Sequence, residues 1–176
     1  LLRHLLEVPG DDFGKDIIPR ALAEKRVMGY VFDGYWADVG TIRRFYEVNL
    51  ELAKPNKPLD LLSPRWPLYT HPRFLPPSEA YGSQLDQALL ADGCYIYSSD
   101  ISNSVIGLLS QIGPNATIRD SVIMGADYYE TEEQLAKNKS LGRPNIGIGE
   151  GAVIESALID KNARIGRNVH IRHLPN

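Results

Sequence analysis

The sequence predicts a short α/β segment followed by an all-β solenoid of parallel strands. Three observations support this: aliphatic residues at about every sixth position in the second half, a proline-rich stretch before them, and mixed helix and strand patterns in residues 1–54. A six-residue period matches neither the 3.6-residue period of a helix nor plain alternation along a strand. It is typical of a solenoid in which each short strand gives one side chain to a shared interior.

Residues 1–54 carry the α/β patterns. Residues 1–8 place leucines on one face of an expected helix, and residues 27–35 (VMGYVFDGY) are rich in β-branched and aromatic side chains, which predicts a strand. A second helix is expected over Ile42–Ala53, with Thr41 placed to cap its N-terminus. The residues on its apolar face are Ile42, Phe45, Tyr46, Asn49, Leu50 and Ala53.

A connector and then the solenoid follow. Seven prolines between residues 55 and 80 predict an extended linker, and we place the connector at 55–87. The solenoid is expected over residues 88–176, with about four triangular coils and an insertion at 125–145 that interrupts the six-residue period. A short helix is expected within the insertion, at Glu132–Lys139. The single cysteine, Cys94, is expected to face the solenoid core as a small apolar residue.

Composition excludes several classes of function. A formal net charge of −3 with mixed charges predicts neither a nucleic acid nor a membrane surface as partner. No apolar run approaches the ~20 residues that span a bilayer. One cysteine excludes an internal disulfide and suits a reducing cytoplasm. The chain begins inside an apolar pattern without Met and without a convincing signal peptide, so we expect it to be a fragment.

Asp38 and Trp36 are the first candidate site residues. Asp38 lies between the expected strand and the helix that follows, which is where active sites open in α/β folds. A carboxylate there can help to hold Mg²⁺ on a nucleotide. The alternative is that Asp38 only stabilises the turn and the N-terminus of the helix. Trp36 is either a ligand platform or, more commonly for this residue type, a packing residue.

Basic residues supply the second set of candidates. Arg73 lies in the stiff connector with aromatic residues on both sides, so its guanidinium either meets an anion or forms an interdomain salt bridge. Lys161 and Arg164 flank a turn of the solenoid and, by pattern alone, are solvated corner charges. The four histidines form no spaced metal cluster, and no glycine loop that would cradle phosphate occurs.

Five segments, taken together and in this order, resemble the ADP-glucose pyrophosphorylase (glucose-1-phosphate adenylyltransferase) family. They are DFGKDIIP, FDGYWADVGTIRRFYEVNLEL, YTHPRFLPPS, MGADYYET and IGIGEGAVIESALIDKNARIG. The resemblance implies that residues 1–54 are the C-terminal end of a Rossmann-like nucleotidyltransferase domain and that the solenoid is a left-handed parallel β-helix. It implies synthesis of ADP-glucose and pyrophosphate from ATP and glucose 1-phosphate, with Mg²⁺, in a homotetramer or heterotetramer controlled by phosphorylated effectors.

The resemblance also assigns roles to single residues. Asp38 matches a carboxylate that holds the catalytic Mg²⁺, and Trp36 matches a residue beside the sugar-phosphate pocket. Arg73 and Lys161 match cationic residues of an allosteric pocket for phosphorylated effectors. His71 stands where related sequences often have Gln, which implies pH-sensitive recognition.

The sequence departs from the family pattern near its end. Leu174 stands where relatives often have a regulatory Lys, which puts control by 3-phosphoglycerate in question. The family's phosphate loop and its first metal-binding Asp would precede Leu1, so we expect the chain alone to make no ADP-glucose and to serve in regulation and assembly. The alternatives are a non-catalytic solenoid scaffold and an acyltransferase, which would need a histidine within the coils, where none precedes His170. The expected location is the cytoplasm, or the plastid for a plant or alga.

Overall fold

The computed structural model describes residues 2–7 and 9–173, and the chain divides into two compact units at Gly34. The first unit is helical. Its elements are α1 (Leu2–Leu6), a π-helical turn (Phe13–Ile17) and α2 (Ile18–Glu24), which continues directly from that turn. The side chains of Leu5, Ile17 and Ala21 form a small buried core. The expected N-terminal helix is therefore present over Leu2–Leu6, whereas Leu1 and Val8 lie outside the described residues.

A polar cap and a proline mark the starts of the π-helical turn and of α2. The Asp12 carboxylate accepts a hydrogen bond from the Lys15 backbone N–H at 2.8 Å, which caps the π-helical turn. Pro19 lies at the start of α2, where its missing N–H removes no intrahelical hydrogen bond.

The strand predicted over residues 27–35 is absent, so that prediction is wrong. The segment has no ladder, and all of its side chains are exposed, Tyr30 by 89% and Val31 by 82%. A strand needs a neighbour that takes up its N–H and C=O groups, and the described residues of the first unit form no other strand. The segment is rich in β-branched and aromatic residues, but the described residues of this unit offer no strand with which it could pair.

The second unit begins with α3 (Ile42–Ala53), whose predicted bounds are confirmed. The Thr41 hydroxyl accepts a hydrogen bond from the Arg44 N–H at 3.1 Å and caps the helix as predicted. Leu50 and Ala53 are buried, but Ile42 is 79% exposed. The buried residues are in the later turns of the helix. The prediction that Ile42 belongs to the packed face is therefore wrong.

Short parallel strands form the solenoid, with five coils in the part of the chain that the structure describes. One sheet holds one strand from each coil, and the remaining strands form the other faces. In chain order the strands are β1 (Glu79–Tyr81), β2 (Gln84–Leu90), β3 (Tyr95–Tyr97), β4 (Asp100–Ile106), β5 (Gln111–Ile112), β6 (Thr117–Arg119), β7 (Val122–Ile123), β8 (Gly147–Ile148), β9 (Val153–Glu155), β10 (Leu158–Ile159), β11 (Arg164–Ile165) and β12 (His170–Arg172).

The solenoid starts earlier than the sequence pattern indicated. The first coil begins at Glu79 rather than near Ala88, because β1 pairs with β3 and β2 pairs with β4. The side chains of β1 are exposed and those of β2 mostly so, since an end coil has a neighbour on one side only. The aliphatic period that revealed the other coils is therefore missing from this one.

The six-residue period corresponds to the core, as predicted. Nine of the isoleucines that recur at about every sixth position are buried, and two more, Ile165 and Ile171, pack against them at the end of the coils. The buried nine are Ile96, Ile101, Ile106, Ile112, Ile118, Ile123, Ile148, Ile154 and Ile159. Cys94 is also in this core, 2% exposed, and burial raises the pKa of its thiol. The structure confirms its role as a small apolar residue.

Left-handed backbone turns produce the corners between the faces. Gln87, Asn103, Asp120 and Ser156 occupy the same corner in successive coils, and all have φ between 43° and 51°. The Asn103 amide donates to the Asp120 carboxylate at 2.6 Å, which links two levels of this corner. Three of these four residues, Asn103, Asp120 and Ser156, have short polar side chains, which tolerate this backbone region better than aliphatic ones.

The insertion is an ordered loop that contains α4 (Glu132–Ser140), so the helix expected there is confirmed. Thr131 and Gln134 form a reciprocal capping box at its start. The Asn138 side chain is completely buried and donates to Glu130 at 2.7 Å and to Asn145 at 3.0 Å. These contacts hold α4 to the segments before and after it within the insertion.

Candidate functional site

A cleft of about 390 Å³ brings together three residues that the sequence assigned to an effector site. His71 and Arg73 come from the connector, and Lys161 comes from a turn of the solenoid. The lining is completed by Pro72, Leu75, Leu108, Leu109, Ala126 and Asp127. These residues span about ninety positions of sequence, so only the fold could place them together.

The connector is held at the cleft by one apolar anchor. Leu75 packs against a buried cluster of Leu109, Ala126 and Ile146. Phe74, immediately before it, has a left-handed backbone (φ 50°), and its side chain is 95% exposed. The anchor fixes the short stretch that carries His71 and Arg73 at this corner of the solenoid.

The turn that carries Lys161 is positioned by strand pairing. It follows β10, which pairs with β7, so the turns after these two strands are neighbours. The Asn162 N–H donates to the Gly125 carbonyl at 3.0 Å, and Asn162 has a left-handed backbone (φ 58°). Lys161 is therefore placed beside the start of the insertion.

An acidic residue, Asp127, occupies the middle of this arrangement. Its carboxylate accepts hydrogen bonds from the Lys161 ammonium at 2.7 Å and from the Asn162 amide at 2.8 Å. The Asn162 side-chain oxygen in turn accepts from the Asp127 N–H at 3.0 Å. The hydrogen bond from Lys161, then that from Asn162, and the positive charges of Lys161 and Arg73 hold the pKa of Asp127 below its ordinary value.

Sequence reasoning missed Asp127 and Asn162 as members of this site. Both lie in segments quoted for the family resemblance, MGADYYET and IDKNARIG, but the insertion separates them by 35 positions. The available signal was the register of the six-residue period across the insertion. Placing Ile123 opposite Ile159 would have brought the following turns, with Asp127 and Asn162, side by side.

The charged groups that line the cleft suit an anion. Arg73 and Lys161 supply two cationic groups, and His71 supplies a third hydrogen-bonding side chain. Guanidinium and ammonium groups are the side chains that bind phosphate groups through charge-assisted hydrogen bonds. Asp127 carries the opposite charge, so the described lining is a mixed but net positive surface.

Asp38 and Trp36 do not belong to this cleft. Trp36 is 76% exposed, and Asp38 is exposed with its carboxylate accepting a hydrogen bond from the Gly40 N–H at 2.9 Å. The contact observed for Asp38 is therefore the turn-stabilising one. Within residues 2–7 and 9–173 no group of three or more His, Cys, Asp or Glu side chains could hold a metal ion. One carboxylate does not by itself fit a Mg²⁺ site, which needs further oxygen ligands.

Arg164 is not a solvated corner charge, so that prediction is wrong. Its guanidinium donates to the Glu130 carboxylate at 2.6 Å and to the Pro144 carbonyl at 2.8 Å. The Glu130 side chain is only 4% exposed. Lys161 is likewise paired, with Asp127, although about half of its side chain remains exposed. Leu174 lies outside the described residues.

No helix in the described part of the chain is long and apolar enough to cross a membrane.

Comparisons with known proteins identify the two parts of the chain. The model of the GLGC left-handed parallel β-helix domain matches residues 73–176, and the nucleotidyl transferase model matches residues 6–55. Over 160 residues the chain is 42% identical to the glucose-1-phosphate adenylyltransferase large subunit 1, chloroplastic/amyloplastic, of Zea mays. The match covers 91% of this chain but 31% of the relative's length. The solenoid is therefore a left-handed parallel β-helix, and the chain belongs to the GLGC β-helix domain family.

Proposed function

We propose that this chain carries the effector-binding and assembly part of a glucose-1-phosphate adenylyltransferase. The intact enzyme makes ADP-glucose and pyrophosphate from ATP and glucose 1-phosphate, and the cleft at Arg73 and Lys161 binds its phosphorylated effector. The observation that carries the proposal is that the fold unites His71, Arg73 and Lys161 in one cleft. Family membership and the maize relative support the same function.

The chemistry of the cleft matches a phosphate ester. Arg73 offers a planar, bidentate donor and Lys161 a mobile point charge, and these two geometries suit different oxygens of one phosphate group. His71 adds a third hydrogen-bonding side chain to the lining.

The strength of binding can be bounded for the 176-residue chain alone. Hydrogen bonds to charged groups contribute roughly 1.5–3 kcal/mol each. Association costs an estimated 4–15 kcal/mol of lost freedom, and two such contacts, about 3–6 kcal/mol together, offset only the lower end of that cost. We expect weak binding by this chain and tighter binding in the full-length protein, where further cationic groups can contribute.

The full-length protein provides the test. Adenylyl transfer from ATP to glucose 1-phosphate is measured by pyrophosphate release, with a panel of phosphorylated metabolites and inorganic phosphate as effectors. Arg73→Gln and Lys161→Gln should abolish or strongly weaken the response while activity without effector persists. Arg167→Gln is the matched control, because Arg167 is 73% exposed, pairs with Glu150 and does not line the cleft.

Two results would contradict the proposal. An unchanged effector response in both cleft variants would place the effector site elsewhere. A full-length protein that releases no pyrophosphate, with or without effector, would favour the non-catalytic scaffold.

The remaining partners follow from the proposed enzyme. Nucleotidyl transferases generally use Mg²⁺, and in the intact protein Asp38 would offer it one carboxylate, with Trp36 beside the bound sugar phosphate. The relative is named a large subunit, which supports assembly with other subunits, as a homotetramer or heterotetramer. Its chloroplastic or amyloplastic designation supports a plastid location over the bacterial-type cytoplasm.

A further inference from the structure

Asp127 is the one acidic side chain in the described lining of the effector cleft. It makes the shortest polar contact that Lys161 forms, 2.7 Å between the ammonium nitrogen and Oδ1. An anion that takes the ammonium N–H directed at Oδ1 must displace this carboxylate, and an anion on either of the other two N–H groups of Lys161 still lies beside its negative charge. The group that competes with the effector belongs to the protein itself.

Asp127 is held ready for this role. Asn162 donates to its second carboxylate oxygen and accepts from its backbone N–H, so the carboxylate is fixed from two directions. The side chains of Asp127 and Lys161 are 51% and 45% exposed. Solvent reaches the pair, and exposed ion pairs are weak, so an incoming anion can displace the carboxylate without unfolding the turn.

We propose that Asp127 is an internal competitor that occupies Lys161 until a phosphate group displaces it. This inference rests on the proposed effector site. It adds that the ion pair between Asp127 and Lys161 sets the effector concentration at which the site is filled. In the absence of effector the carboxylate neutralises Lys161 and keeps it in position. A phosphate dianion, with more charge and more acceptor oxygens than one carboxylate, replaces it on Lys161 and also contacts Arg73.

Direct binding measurements on the full-length protein test the device, with inorganic phosphate as the probe. Asp127→Asn keeps the size of the side chain and removes its charge. We expect it to raise phosphate affinity about three- to tenfold, because the competitor and its repulsion of the bound anion are both removed. Glu150→Gln is the matched control: it removes the same charge from another exposed ion pair, outside the cleft, and should leave the affinity within about twofold of wild type.

Lys161→Gln separates this inference from the proposed function. Wild-type phosphate affinity in Lys161→Gln would overturn both, since no effector site would exist at Lys161. Loss of binding in Lys161→Gln together with unchanged or weaker binding in Asp127→Asn would overturn the competitor alone. Weaker binding in that case would mean that Asp127 positions Lys161 for the anion.

A second measurement needs no variant. The pKa of Asp127, held low by Lys161, is followed by nuclear magnetic resonance with and without inorganic phosphate. Displacement removes the hydrogen bond from Lys161 and brings a negative charge close, so phosphate should raise the pKa. An unchanged pKa of Asp127 at saturating phosphate would show that Asp127 and Lys161 remain paired, and it would overturn the proposal.

Discussion

The solenoid and residues 27–33 both consist of β-forming sequence, yet only the solenoid forms strands. In the solenoid each coil pairs with the coils next to it in the chain, so the sequence supplies its own partners. In residues 27–33 the side chains are exposed and no ladder forms. Intrinsic β-propensity describes fit to a half-buried surface, and without that surface it does not produce a strand.

The insertion sharpens the contrast, because it lacks the six-residue period and is nevertheless ordered. Its order comes from polar side chains rather than from strand pairing. Glu130 accepts hydrogen bonds from the Ile146 N–H and from the side chains of Asn138 and Arg164. A segment without a repeat is therefore held when buried polar groups tie it to a repeat, and residues 27–33 have no such ties among the described contacts.

Substitutions in the solenoid core and in residues 27–33 should differ most in their effect on the free energy of unfolding. Ile118→Ala removes a side chain that is 0% exposed, and we expect a loss of about 2–5 kcal/mol in the free energy of unfolding. Val31→Ala, at 82% exposure, should change it by less than about 0.5 kcal/mol. Urea unfolding followed by circular dichroism measures both. Equal effects of the two substitutions would mean that residues 27–33 are packed in solution.

Glu130→Gln tests the polar anchor of the insertion. The substitution leaves the Arg164 guanidinium without its carboxylate, and we expect a loss of about 1.5–3 kcal/mol in the free energy of unfolding. Asp33→Asn in the exposed segment is the control and should have little effect. Thermal or urea unfolding of the two variants gives the comparison directly.

The same anchor predicts a pH dependence. Burial pushes the pKa of Glu130 up, but hydrogen bonds from Arg164, the Ile146 N–H and Asn138 outweigh it and hold the pKa below its ordinary 4.5. Its stabilisation is therefore complete above about pH 4.5 and is lost as the pH falls through the lower pKa of the folded state. Glu130→Gln should flatten the fall in stability over that acidic range. An unchanged profile would mean that other carboxyl groups account for it.

Glycine-to-alanine substitutions compare how tightly the backbone is constrained in the solenoid and in residues 27–33. Gly125 has φ +85°, and an added Cβ would strike the Leu108 carbonyl oxygen, whereas Gly29 has open space around it. Gly125→Ala should cost about 1–3 kcal/mol, since both the backbone strain and the clash must be absorbed. Gly29→Ala should be neutral in the same unfolding assay. A neutral Gly125→Ala would show that the turn after β7 adapts.

The sequence predicted the parts of the fold that repeat or have local signals. The isoleucine period placed the core from Ile96 to Ile171, and Thr41 placed the start of α3. The first coil was missed because β1 and β2 leave most of their side chains exposed at the end of the stack. The aliphatic period follows from buried side chains, so it is missing from a coil whose side chains are mostly exposed.

The roles of Arg73 and Lys161 in the candidate site were predicted only through resemblance. Spacing alone assigned Lys161 and Arg164 to solvent, because a turn pattern does not reveal what lies across a 20-residue insertion. Asp127 and Glu130 are the partners that the insertion brings to these two basic residues. Ion pairs between distant segments depend on the register of the coils, which no local pattern encodes.

The smallest effect is expected where α3 meets the solenoid. The Tyr46 hydroxyl donates a hydrogen bond to the Asp120 backbone carbonyl, at the corner formed by left-handed residues. Tyr46→Phe keeps the ring and removes this bond, and should lower the free energy of unfolding by about 0.5–1.5 kcal/mol. Tyr30→Phe, at 89% exposure, is the matched control and should be silent. If Tyr46→Phe is equally silent, packing of Leu50 and Ala53 holds the helix on the solenoid, and the hydroxyl contributes only to its orientation.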